Sequence, residues 1–157
     1  FQWQEIVRDA LWSGKNNEQA FGPQLITNKN DEYIKKEQKL LLQATTLSVT
    51  DVVAEVNNLK GLVIPAHVDK TNYSLIYNLG FINPELNILG VEISKTITQE
   101  RAEKEFEQLA EYSLLSNSDA HYLKDLQKSM QLHLSEATFS ELKLAILNEA
   151  GREIKLL

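Results

Sequence analysis

Residues 89–116 read LGVEISKTITQERAEKEFEQLAEYSLLS, and this stretch decides the fold class. Leu89–Ile93 and Ser113–Ser116 are short, mainly apolar runs of strand length. Between them Thr98 offers a hydroxyl cap for a helix that reaches about Ala110. Ala102, Phe106, Leu109 and Ala110 form its inner face, and the charges from Arg101 to Glu111 form a solvated one. Strand, helix and strand in this order make a βα unit with parallel strands.

The alternation continues outward. Upstream, Ser48 and Asp51 have the spacing of a capping box, and Val49, Val52, Val53, Val56 and Leu59 hold helical spacing until Gly61. Leu62-Val63-Ile64 reads as a strand covered on both faces, followed by a short helix over Tyr73–Leu79 that ends at Gly80. Downstream come a helix near Leu123–Met130, a strand over Gln131–Leu134 and a helix from Thr138, with Glu141 completing a second capping-box pattern. At the N-terminal end Trp3, Ile6, Val7, Ala10 and Leu11 make an amphipathic stripe. Residues 13–39 are polar, with Gly14, Gly22 and Pro23 as breakers and Leu25-Ile26 as the hint of a strand. The expected organisation is one domain over 1–157, with 13–39 as a long surface connection and with Trp3, Trp12 and Phe106 in the core.

Composition sets the outer limits. The chain has 157 residues, 16 basic and 22 acidic, for a net charge of −6, with 43% hydrophobic and 24% charged side chains. That is ordinary globular usage, and too short for a closed eight-unit barrel of about 250 residues. Zero cysteines exclude disulfides, thiolate zinc sites and a cysteine nucleophile. No apolar run approaches the roughly 18 residues of a membrane span, so a soluble, cytoplasmic protein with no membrane partner is expected. A pI near 5.1 argues against broad electrostatic capture of nucleic acid and leaves room for a local basic channel. Phe1 in place of Met is expected to mark a processed product or a piece of something longer.

Sheets of this kind bind ligands beyond the carboxyl ends of their strands, and two motifs lie there. Gly61-Leu62-Val63-Ile64-Pro65-Ala66-His67 ends in a histidine; Leu114-Leu115-Ser116-Asn117-Ser118-Asp119-Ala120-His121 ends in an acid and a histidine two residues apart. In an extended segment such a pair points to one side, so Asp119 and His121 are able to close on one ion of zinc, manganese or iron. Glu92, between Val91 and Ile93, projects to the face opposite theirs and asks for a partner. Each motif has a plainer reading: His67 as a structural histidine, Asp119 as a turn or cap before Tyr122, Glu92 as a salt-bridged edge residue, Lys70 as a solvated loop lysine. His133, by itself in its strand, is not expected to be a ligand.

Val63-Ile64-Pro65-Ala66-His67 with Asp69-Lys70, then Gly90-Val91-Glu92-Ile93, then Ser118-Asp119-Ala120-His121-Tyr122 resembles the later half of the polymerase and histidinol phosphatase (PHP) family of metal-dependent phosphoesterases. Phe21-Gly22-Pro23-Gln24-Leu25-Ile26 and Ser74–Ile82 extend the likeness toward bacterial stand-alone members. The resemblance implies an α/β fold, part of a distorted (β/α)7 barrel with its N-terminal strands missing. It implies His67, Asp119 and His121 as metal ligands, with Asp119 and His121 catalytic, and Glu92 near the site. Lys70 with Glu92 is the expected substrate contact. The family's opening His-x-His and its other earlier ligands have no counterpart in this chain, so divalent metal ions are expected to be held weakly or not at all.

Two functions follow. The first is a metal-dependent phosphoesterase acting on a phosphate monoester or a nucleotide phosphodiester, incomplete in this chain, with a small phosphorylated molecule or a nucleic-acid end as substrate. The second is a non-catalytic, partner-binding half-barrel module. In either case the missing half, or self-association, is expected to cover exposed sheet edges. A third reading is a domain that binds a small anion at the same strand ends without reaction.

Overall fold

The computed structural model describes residues 2–157 and divides into two compact units, residues 1–55 and 56–157. In the first, α1 (Gln2–Asp9) carries Trp3, Ile6 and Val7 of the expected stripe, and Ala10 and Leu11 lie just past its end. A single-turn α2 (Glu18–Phe21) is capped by the Asn17 side chain, which accepts from the amides of Gln19 and Ala20. Strands β1 (Leu25–Thr27) and β2 (Tyr33–Lys36) pair antiparallel. Their turn is organised by Asn28, whose Oδ1 accepts from the amides of Asn30 at 2.8 Å and Glu32 at 3.1 Å. Such closure of its own backbone is what favours Asn in turns. The stretch 13–39 therefore holds a helical turn and a hairpin. The buried Glu37 ties α1 to the segment after β2, meeting Arg8 at 3.1 Å and accepting from the Lys39 amide at 3.0 Å. The Lys39 amide, ahead of Arg8, holds this carboxyl below the usual range. Trp12, expected in the core, is 62% exposed. Helix α3 (Val49–Asn58) begins with the predicted capping box: Ser48 Oγ accepts from the Asp51 amide, and the Asp51 carboxylate accepts from the Ser48 amide.

In the second unit, β3 (Gly90–Ile93) and β4 (Ser113–Ser116) pair in parallel, Val91 opposite Leu114 and Glu92 opposite Leu115. Helix α5 (Gln99–Glu105), capped by Thr98, and a 3-10 turn over Glu107–Glu111 connect them. Val91, Ile93, Ala102, Leu109 and Leu115 are buried together with Ile146. Fully burying one such aliphatic side chain stabilises by about 1.5–3 kcal/mol; of the predicted inner face Ala102 and Leu109 join this core, Phe106 is half-buried and Ala110 is exposed. Helix α4 (Leu75–Leu79) is capped by the buried Ser74 and ends at Gly80, whose φ of 85° suits a residue without Cβ. Strands β5 (Met130–His133) and β6 (Glu153–Leu156) pair antiparallel around α6 (Phe139–Ile146), and β6 lies against β4.

The expected partial (β/α)7 barrel does not form: the sheet consists of three separate two-stranded pairs. Two physical reasons account for this. A barrel of this kind needs parallel neighbours on both sides of every strand, and β5 and β6 instead run antiparallel to each other. The segment 62–64, expected as a strand, does not become one. The Glu92 amide donates to the Pro65 carbonyl at 2.9 Å and the Val68 amide to the Glu92 carbonyl at 2.8 Å. Proline has no N–H for a ladder, so these two bonds do not extend into regular pairing. The helix expected near Leu123–Met130 shrinks to a 3-10 turn over Leu123–Asp125, where the Asp125 carboxylate accepts from the Tyr122 amide and closes the turn. No helix among the described residues is long and apolar enough to cross a membrane.

Candidate functional site at the carboxyl ends of β3 and β4

The loop that follows Pro65 is pinned at Val68, whose side chain is fully buried. Its amide bonds β3, and its carbonyl accepts from Ser74 Oγ at 3.0 Å. Asp69 fastens the same loop to the end of β3: its carboxylate accepts from the Ser94 amide at 2.6 Å and from Ser94 Oγ at 2.5 Å. His67 and Lys70 flank this anchored pair. The Lys70 amide donates back to the His67 carbonyl at 2.9 Å, closing a tight turn with His67 at φ 27°.

The loop after β4 brings the second motif to the same place. Asp119 has φ 47°, a left-handed conformation uncommon outside glycine and costing on the order of 1–3 kcal/mol where the surroundings impose it. Its carboxylate accepts from the Lys70 ammonium at 2.6 Å. That bond is the main reason why the Asp119 carboxyl lies below its ordinary range, with the Lys70 charge adding to it.

A cavity of about 240 Å³ opens between the loops, lined by His67, Lys70, Glu92, Ser94, Asn117 and Asp119 among others. Glu92 reaches it because its neighbours Val91 and Ile93 turn into the core. His67 Nδ1 is buried with no hydrogen-bond partner, a condition that buried polar atoms seldom tolerate without a ligand or water. His121 is exposed and does not line the cavity. Its Nδ1 lies 3.0 Å from the Asp119 carbonyl, and since a carbonyl only accepts, that nitrogen carries the proton. His133 sits across from Glu153 on β5–β6, 3.8 Å away.

Four of the sequence-predicted residues, His67, Lys70, Glu92 and Asp119, thus share one cavity, and His121 stands outside it. The arrangement does not fit a divalent metal ion. Among the described residues no three His, Asp or Glu side chains form a group able to hold one. Asp119 is already neutralised by an ammonium group, and His121 is turned to a backbone carbonyl. The chemistry that remains is that of a small polar cavity with two lysines, two carboxylates and an imidazole.

Sequence reasoning missed Asp69 as the clasp, and missed Lys95 and Thr96, which also line the cavity. The signal was available in the polar run Ser94-Lys95-Thr96 directly after the β3 core residues.

Comparison with solved structures finds a likeness to the lesion-specific endonuclease PfuEndoQ from Pyrococcus furiosus, with a TM-score of 0.60 and 26% sequence identity. The match covers 70% of this chain and 29% of that one, so the chain spans less than a third of that structure's length. No protein-family model matches the chain, and no curated protein matches it. The likeness supports a distant relationship between this chain and that endonuclease.

Proposed function

We propose that the chain is part of a phosphoesterase that acts on a phosphodiester of nucleic acid, and that it binds the phosphate in the His67–Lys70–Asp119 cavity. The observation that carries this reading is the meeting of two loops, one with His67 and Lys70 and one with Asp119, at a single cavity. The likeness to a lesion-specific endonuclease favours nucleic acid over a small monoester.

Lys70 is the residue for the phosphate, a compact positive charge on a flexible stem. A phosphate oxygen competes with the Asp119 carboxylate for it, so substrate entry frees Asp119 beside the phosphorus. Hydrolysis then forms a bond from the water oxygen to phosphorus and breaks the bond to the leaving oxygen. Asp119 takes the proton lost by the water, and the leaving oxygen takes one from His67. Glu92, on the cavity wall, orients the water.

A second reading, a module that binds phosphate without cleaving it, is favoured by the lack of a three-donor group among the described residues. Hydrolysis of bis(p-nitrophenyl) phosphate by the native chain and by Asp119→Asn and His67→Ala separates the two. The first reading expects the diester to be cleaved and each variant to be slower by about 10²–10⁴-fold. Equal rates in all three overturn it, and phosphate binding without turnover establishes the second.

A further inference from the structure

The cavity at Lys70 opens beside a larger one. A second cavity, of about 390 Å³, lies at the ends of the same two strands, with Ile93 and Ser116 in its wall. Lys95 and Thr96 line both cavities. Lys128, on the segment leading into β5, lines the second. We propose that the two cavities form one track for a single polynucleotide strand, with one phosphate at Lys70 and flanking phosphates at Lys95 and Lys128. The inference rests on the reading of the chain as part of a nucleic-acid phosphoesterase and names the form of its substrate.

Charge supports the track. On a chain of net charge −6, three lysines line two cavities that share part of their walls. Among the described residues Lys95 and Lys128 make no ion pair with a carboxylate, whereas Lys36, Lys70 and Lys155 each do. Unpaired, exposed ammonium groups have no counter-charge to give up when a phosphate arrives. The acids present are Glu92 and Asp119 in the first cavity and Glu100 in the second, at the start of α5. These carboxylates oppose an anion held at any single point, so holding a chain of phosphates takes contacts at several lysines.

Size points the same way. A volume of about 390 Å³ falls within the roughly 300–1,000 Å³ range of small-molecule sites, which suits one nucleotide unit. A monoester fills one cavity and has no use for a second sharing its wall. A single strand threads both, and each phosphate it places on a lysine releases counterions, with a salt slope of about 0.7 per contact.

The test is the binding of a fluorescent thymidine oligonucleotide of about 12 nucleotides to the 157-residue chain, followed by anisotropy between about 50 and 200 mM salt. Lys128→Gln is expected to weaken binding and to lower the salt slope by about 0.7, and Lys95→Gln/Lys128→Gln by about 1.4. Lys104→Gln/Lys143→Gln, on α5 and α6, is expected to leave both unchanged. Inorganic phosphate at the Lys70 cavity is expected to bind native chain and Lys128→Gln alike. An unchanged slope in Lys128→Gln overturns the track, as does tighter binding of a duplex of the same length. Cleavage of the thymidine oligonucleotide without dependence on Lys128 overturns the track and leaves the phosphoesterase standing. Lys128-dependent strand binding without any cleavage overturns the phosphoesterase and leaves the track.

Discussion

The Lys70 ammonium donates to the Asp119 carboxylate across 2.6 Å, joining loops that are 49 residues apart in sequence. Both side chains are 39% exposed, so the pair is open to exchange with solvent ions and contributes little to stability by itself. Its importance is chemical, since it decides whether the carboxylate is free for another cation.

Removing that ammonium group is expected to release a metal donor. Lys70→Gln leaves the Asp119 carboxylate unpaired near His67, and zinc titration by calorimetry is expected to show tighter binding than in the native chain. Equal zinc affinities in the two proteins contradict the role of Lys70 as the group that occupies Asp119.

Gly90 opens β3 against β4 at a place where no side chain fits. A Cβ there stands 2.9 Å from both Leu115 Cδ1 and the Ser113 carbonyl oxygen, and 3.3 Å from Ile146 Cγ2. The Leu115 methyl is able to turn away; the backbone oxygen is not. Gly90→Ala is expected to destabilise by about 1–3 kcal/mol, the usual cost of overpacking, and urea unfolding measures it. Gly14, whose Cβ has open space apart from Gln43 Oε1 at 3.9 Å, serves as the comparison and is expected to tolerate alanine far better.

Glu141 sets an acid limit on the stability of the second unit. Its carboxylate accepts from Arg152 Nε at 2.8 Å, from Arg152 Nη2 at 3.0 Å and from the Ser135 amide at 2.8 Å. The Arg152 bonds, then the Ser135 amide, hold its pKa below the ordinary glutamate value. The folded state therefore binds the proton less readily than the unfolded one. This stabilisation is fully present above the unfolded pKa and is lost as pH falls through the lower folded value. Thermal unfolding of native chain and Glu141→Gln is expected to differ most at neutral pH and to converge in acid. A difference that is constant with pH contradicts this assignment.

Local elements were legible where a short-range device marks them. Thr98 and Ser48 each cap a helix at the expected place, because a hydroxyl that accepts from an amide three residues on acts within one turn of chain. Thr138 caps α6 as well, yet Glu141 does not reach back to complete the box, since Arg152 has taken its carboxylate. That competitor lies 11 residues away and is invisible to a local pattern. β6 carried no recognised signal and exists through its pairing with β5.

For the site, the strand-end motifs located His67, Glu92 and Asp119 by alternation and by position after an apolar run, which are properties of neighbouring residues. Whether these side chains meet depends on how separate loops fold back, and that only the tertiary structure decided. It turned His121 out to the Asp119 carbonyl, put Lys70 on Asp119, and opened a neighbouring cavity at Lys95 and Lys128. It also broke the expected barrel into separate pairs of strands. The sequence by itself determined the helix starts, the core of the β3–α5–β4 unit and the residue types at its strand ends, because those follow from periodicity and capping. Strand pairing and side-chain partnership over long separations follow from closure of the whole chain, which no local pattern contains.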